Sequence, residues 1–183
     1  MSPLFLKTPL GERGLSLLES ALALAILGLI IAGIWALSGS AFGSSKKNHL
    51  AEQVIYTVES VRTYARTTDL DTTLLDTQDI WDLGLLPTDV RKAGGFRHPY
   101  GGDFFVQLRN TLLSIALDDV PSDACVDLIY SRLGGSTDAA DNLGFIGYAV
   151  GSSGGTVSSN FSFNAITAAC AQGPNVYLSF QPR

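Results

Sequence analysis

Positions 20–45 carry no charged side chain, and within them 21–37 consists entirely of Ala, Leu, Ile, Gly and Trp. As an α-helix, 21–37 rises roughly 25 Å, close to the hydrocarbon thickness of a bilayer. A helix that is apolar on every side does not stay in water alone. It needs lipid or neighbouring helices around it. Glu19 stands just ahead of this run. A carboxylate at the centre of a bilayer costs about 2.5–3.5 kcal/mol or more, and less near the edge.

Three readings of the run compete. A secretory signal peptide places Lys7 and Arg13 in its basic region and is cut near Ser38-Gly39-Ser40, before Ala41. The apolar stretch is long for that purpose, and Glu19 interrupts the usual order. A plain membrane anchor fits the length, but Lys46 and Lys47 rival Lys7 and Arg13 as an orientation signal. Neither reading gives Gly14 or Glu19 a purpose.

The third reading does. "GLSLLE", 14–19, resembles the processing site of type IV pilins: a short polar leader ending in Gly, then an apolar residue, then Glu as the fifth mature residue. The resemblance implies that a prepilin peptidase cuts after Gly14 and leaves Leu15 as an N-methylated first residue. The apolar helix is then retained. It serves first as a single-pass anchor in a bacterial inner membrane and later as the core of an extracellular pilus filament. In that core the α-amine of Leu15 on one subunit neutralises Glu19 on the next. A buried charge is penalised when unpaired and roughly breaks even when paired, so the pair sets the axial register. Type IV pilins often carry a kinking Pro in this helix, whereas none stands between 15 and 86 here, which leaves Gly28, Gly33, Gly39 and Gly43 as the weak points.

Beyond the run, Leu50, Val54, Val58, Val61 and Ala65 recur at helical spacing, widened by Ala51 and Ile55. Glu52, Glu59, Arg62 and Arg66 fall on other faces. One helix is therefore expected to continue to about 68, apolar all round at first and amphipathic later. A short helix is predicted over 77–83, capped by Thr77 and closed by Gly84 and Pro87. A hairpin is predicted from 104–109 and 112–117, turning at Asn110-Thr111. Pro121-Ser122 opens a helix with Cys125 in its first turn and Val126, Ile129, Tyr130 and Leu133 on one face. Residues 134–155 are rich in Gly, Ser and Asp around a strand, "FIGYAV". A short helix holding Cys170, a Gly-Pro turn and a final strand over 176–180 complete the chain.

That order resembles the pilin fold: α+β, a long N-terminal helix packed on an antiparallel sheet, and a disulfide-bounded region from Cys125 to Cys170. The divisions implied are a leader 1–14, a hydrophobic helix 15–45 and a globular part 46–183, itself an amphipathic helix half 46–68 and a sheet domain 69–183. "HPYGG", "VPSDAC" and "ACAQGPNVYLSF" look most like the type IVb branch, and Leu15 suits that branch better than the Phe of type IVa. The partners implied are further copies of the chain, the prepilin peptidase, an assembly ATPase with its platform protein, and the inner membrane before assembly. The filament would serve adhesion, aggregation or cell–cell contact. A minor pilin or a type II secretion pseudopilin is the alternative within the family, and a membrane-tethered or secreted binding module the alternative outside it.

Composition argues against nucleic-acid binding through a basic groove and identifies no partner of its own. Without Lys7, Arg13 and Glu12 of the leader, ten basic and sixteen acidic residues remain, an excess of six negative charges. If the run exports the chain, Cys125 and Cys170 sit in an oxidising compartment with one intramolecular pairing open to them. Two thiols cannot complete a cysteine zinc site, and His49 and His98 are distant from both in sequence.

Catalytic signals are weak. "GSSGG", 151–155, matches a G-x-S-x-G elbow in form, but both histidines precede Ser153, against the order such a triad requires. Asp118, Asp119, Asp123 and Asp127 lack the spacing of a calcium loop and read as a solvated acidic patch. Asn160-Phe161-Ser162 is a glycosylation sequon of little weight in a bacterial pilin. Trp35 lies near the end of the apolar run, where aromatics favour an interface. Trp81, Phe96 and Tyr100 read as core or subunit contacts. No cofactor, metal or catalytic residue is expected.

Overall fold

The computed structural model describes residues 17–68, 74–134, 143–151 and 156–181, with the side chains of 17–18 and 36–42 outside that description. Gly14 and Leu15 therefore lie outside the described residues. The chain divides into two compact units, Met1–Phe42 and Gly43–Arg183. Helix α1 (Leu17–Thr67) contributes to both, and each part is described by itself.

In the first unit, every described side chain from 21 to 35 is exposed. Among the described residues no helix is long and apolar enough to cross a membrane. This corrects the expectation of a single-pass inner-membrane precursor. Glu19 stands at the head of the described apolar stretch.

In the second unit, α1 becomes one-sided. Leu50, Ala51, Val54, Val58 and Val61 are buried, Ile55 and Ala65 partly so, and Glu52, Glu59 and Arg66 are exposed. The 3.6-residue period brings these apolar positions onto one stripe. They belong to the same hydrophobic cluster as the inward side chains of an antiparallel sheet.

The sheet has five strands in the order β1-β4-β5-β7-β6. These are β1 (Leu74–Leu75), β4 (Phe104–Arg109), β5 (Leu112–Leu117), β6 (Phe145–Val150) and β7 (Val176–Phe180), all paired antiparallel. A separate ribbon pairs β2 (Arg91–Lys92) with β3 (Gly95–Phe96). The β4–β5 hairpin spans the predicted residues, with Asn110 in the left-handed region at φ 53°. Strand alternation buries Phe104, Val106 and Leu108 from β4 and Leu113, Ile115 and Leu117 from β5. On β6, Ile146 is the extra residue of a bulge between Phe145, opposite Phe180, and Gly147, opposite Ser179.

Short helix α2 (Thr77–Asp82) is capped by Asp76, not by Thr77 as expected. Asp76 accepts from the backbone N–H groups of Gln78 and Asp79, and the Asp79 carboxylate accepts from the N–H of Asp76, a reciprocal capping box. The Thr77 hydroxyl instead donates to the Val106 carbonyl at 3.0 Å and accepts from its N–H at 2.9 Å. It ties α2 to β4 as an extra rung would. Nearby, the Arg91 guanidinium lies over the rings of Phe96 and Trp81, 4.7 and 5.8 Å from their centres, and donates to Gln78 Oε1.

Helix α3 (Ser122–Val126) runs into a π-helical segment, Asp127–Gly134. Bonding from i to i+5 stacks residues five apart. Leu128 thus joins Leu133 in the core beside Ile129, while Tyr130, expected on the inner face, is left at 36% exposed. Lys47 closes on Asp123 at 2.7 Å; this contact raises the lysine pKa and lowers that of the carboxyl. The pair is largely solvated and contributes little net stability.

The turn 98–103 is pinned to Asp118. His98 Nε2 lies 2.5 Å from the Asp118 carbonyl, so it carries the proton and donates. Its Nδ1 accepts the Tyr100 N–H at 3.2 Å. A methyl group on Gly102 would meet the Asp118 carbonyl oxygen at 1.9 Å and His98 Nε2 at 2.7 Å. Gly102→Ala is expected to cost more than about 2 kcal/mol, read as a lower urea midpoint at unchanged slope.

Burial pushes His98 below its ordinary value of 6.5, against the opposing pull of the Asp118 carbonyl and the neighbouring carboxylates. The folded state therefore prefers the neutral ring, and the unfolded chain binds more protons. This contribution is complete above the ordinary value and is lost as pH falls through it toward the depressed one. Urea midpoints measured from about pH 7 down to pH 5 are expected to fall, and His98→Gln to flatten that part of the slope.

Candidate assembly surfaces

The first surface is the apolar helix. Leu29 and Trp35 are 75% and 76% exposed, and Leu22, Leu24, Ile30 and Ile34 all exceed half exposure. Every described side chain from 21 to 35 is exposed. Contiguous exposed apolar surface on this scale marks a place that other molecules cover. Glu19, also exposed, stands two residues before it. The geometry therefore offers an apolar rod with a carboxylate at its head. That arrangement favours association and provides one directional polar group.

The second surface is the region between the cysteines. Cys125 and Cys170 form a disulfide across 45 positions, with Cα atoms 5.9 Å apart and both residues buried. It joins the first turn of α3 to the last residue of α4 (Phe163–Cys170). The bounded stretch is not a bare loop. It holds the π segment, edge strand β6 and α4, with 135–142 and 152–155 outside the described residues. Phe161 packs on Phe145 and Tyr148, with ring centres 5.2 and 6.0 Å apart, and Phe163 meets Tyr130 edge-on at 5.2 Å. Residues 156–160 return along β6, where Tyr148 and Ser158 exchange backbone hydrogen bonds and the Tyr148 hydroxyl donates to the Asn160 carbonyl. Gly147 permits that approach, since a methyl group there would lie 2.5 Å from Val157 Cγ1.

The remaining candidates separate. Ser153 of the G-x-S-x-G match lies outside the described residues. Of the acidic run, Asp123 pairs with Lys47 and Asp127 lies 3.9 Å from Arg132, while Asp118 serves His98 through its carbonyl. Among the described residues no group of three or more His, Cys, Asp or Glu is arranged to hold a metal ion. Asn160 of the sequon is exposed, and its Oδ1 accepts the Ser162 N–H at 3.1 Å. Trp81 and Phe96 pack together, partly buried against the core.

One cluster was not anticipated from sequence. His49 and Gln53 both reach the same Asp89 carboxylate oxygen, at 2.6 and 2.5 Å. Their i, i+4 spacing on α1 was the available signal, but Asp89 is 36 positions further on, in the 3₁₀ turn Thr88–Val90.

No protein-family model matches this chain, and no curated protein matches it.

The disulfide closes a long loop, and in the chain-entropy account this is worth roughly 4 kcal/mol. Reduction, or the pair Cys125→Ser and Cys170→Ser, is expected to lower stability by roughly 2–4 kcal/mol in urea melts.

Proposed function

We propose that the chain is a structural subunit of a type IVb pilus, with no catalytic activity of its own, that polymerises through its N-terminal helix. The observation that carries this reading is the apolar helix whose described side chains at 21–35 are exposed, headed by Glu19 in the GLSLLE context. A folded domain that leaves such a surface open needs copies of itself or another apolar medium to cover it.

Two features of the second unit support the finer reading of a pilin fold. The amphipathic part of α1 shares a core with an antiparallel sheet, and a disulfide bounds a region near the C-terminus. In the proposed assembly the helices associate, and the α-amine of Leu15 on one subunit meets Glu19 on the next. The globular units are then displayed for contact with surfaces or cells. A prepilin peptidase acting after Gly14, an assembly ATPase and its platform protein are the partners this reading calls for.

Mass spectrometry of the mature protein is expected to find Leu15 as its methylated first residue; a start at Met1 or Ala41 refutes the proposal. Glu19→Ala and Glu19→Gln are expected to cut filament yield severely, seen by electron microscopy and by quantifying the subunit in sheared filaments. Cleavage after Gly14 is expected to proceed as before. Undiminished filament yield from both variants removes the register role of Glu19.

A further inference from the structure

His98 is 3% exposed, and both of its ring nitrogens are committed. Nε2 donates to the Asp118 carbonyl, and Nδ1 accepts the N–H of Tyr100, two residues on in the same turn. One form of the ring satisfies both contacts: neutral, with its proton on Nε2. A proton added at Nδ1 would set two N–H donors against each other, and the Tyr100 N–H would have to leave.

The turn is small and closes on itself. The His98 N–H donates to the Gly102 carbonyl at 3.2 Å, and the Gly101 N–H to the His98 carbonyl at 2.9 Å. Gly101 is exposed, at φ 93°. Arg97 donates to the Gly101 carbonyl and lies 3.8 Å from Asp103. The carboxylates of Asp103, Asp118 and Asp119 pull on the imidazole against its burial.

Tyr100 connects this turn to α1. Lys46 Nζ lies over its ring, 5.6 Å from the centre. Lys47, Asp123 and Asp127 are the other charged groups around that ring. From 43 to 49 no residue of α1 is buried, and its buried stripe starts at Leu50. Polar contacts hold that end of the helix: Lys46 on Tyr100, Lys47 on Asp123, Asn48 accepting from Arg132, and His49 on Asp89.

We propose that His98 is a pH-operated latch: protonation at Nδ1 expels the Tyr100 N–H, opens the turn 98–103 and withdraws the Tyr100 ring from Lys46, so that acid loosens this end of α1 while the core stays packed. The latch is closed at neutral pH. It opens as pH falls below the ordinary histidine value, because burial disfavours the charged ring. Asp103, Asp118 and Asp119 then offer acceptors to the new N–H. The latch lies wholly within the second unit and does not rest on the filament reading.

The test is an NMR titration of the labelled full chain in non-ionic detergent, from about pH 7.5 to about pH 4.5. The His98 ring proton on Cε1, the Tyr100 amide and the Lys46 Cε protons, which feel the Tyr100 ring, are expected to move with one shared midpoint. The amides of Val106, Ile115 and Leu178 are expected to stay in place. Amide exchange over 98–103, corrected for its intrinsic pH dependence, is expected to rise at least about tenfold below that midpoint. His98→Gln keeps a donor and an acceptor but takes up no proton, and is expected to abolish the shared midpoint. His49→Gln is expected to preserve it. The unaltered chain decides by itself: a Tyr100 amide that does not follow His98, Lys46 protons that do not move, or core amides that shift together with the turn overturns the proposal.

Discussion

One helix lives under two hydrophobic regimes, and the rest of the molecule follows from the change between them. At 21–35 every described side chain is apolar or glycine and every one is exposed. From Leu50 onward only one stripe is apolar, and that stripe is buried. An all-round apolar helix gains nothing from one flat partner, because most of its surface would stay in water. A striped helix gains nearly everything from one. The first part therefore calls for several neighbours, and the second is satisfied within its own domain.

Within the second unit the sheet is arranged around that need. β4, β5 and β7 supply alternating inward residues, and β6 closes one edge with a bulge at Ile146. The disulfide then ties the segment that carries β6 to α3, which Lys47 also reaches. The cross-link acts mainly on the unfolded chain, while the core holds the folded one. The two effects are separate.

Much of this was legible in the sequence, and the reasons differ by element. The β4–β5 hairpin was readable because period-two alternation and an Asn turn agree. The final strand was readable because a Gly-Pro turn fixes its start. The stripe from Leu50 to Val61 was readable because nothing else explains apolar residues at that spacing. The cap of α2 was misplaced by one residue, since Asp76 and Thr77 are both good caps and only the contact with Val106 decides between them. The π segment was missed for a deeper reason. Its one extra residue per turn moves Leu128 inward, and no local composition announces it. The His49–Gln53–Asp89 cluster depends on a contact between distant segments. The cost of burying Gln53 was invisible before its partner was known. Membrane length was the least secure inference, since a few residues decide whether an apolar run spans a bilayer.

Association of such a chain sets hydrophobic gain against electrostatic cost. Apolar burial is non-directional and scales with area, so exposed Leu and Ile on every side of a helix reward many arrangements almost equally. The region after Gly14 carries six excess negative charges, so copies also repel at long range, an effect that salt weakens. Specific order therefore has to come from sparse polar groups whose burial is tolerated only when matched. In the proposed assembly Glu19, at the head of the apolar helix, is such a group. Such a group penalises a wrong neighbour more than it rewards the right one, because an unmatched buried charge or acceptor costs more than a matched one returns.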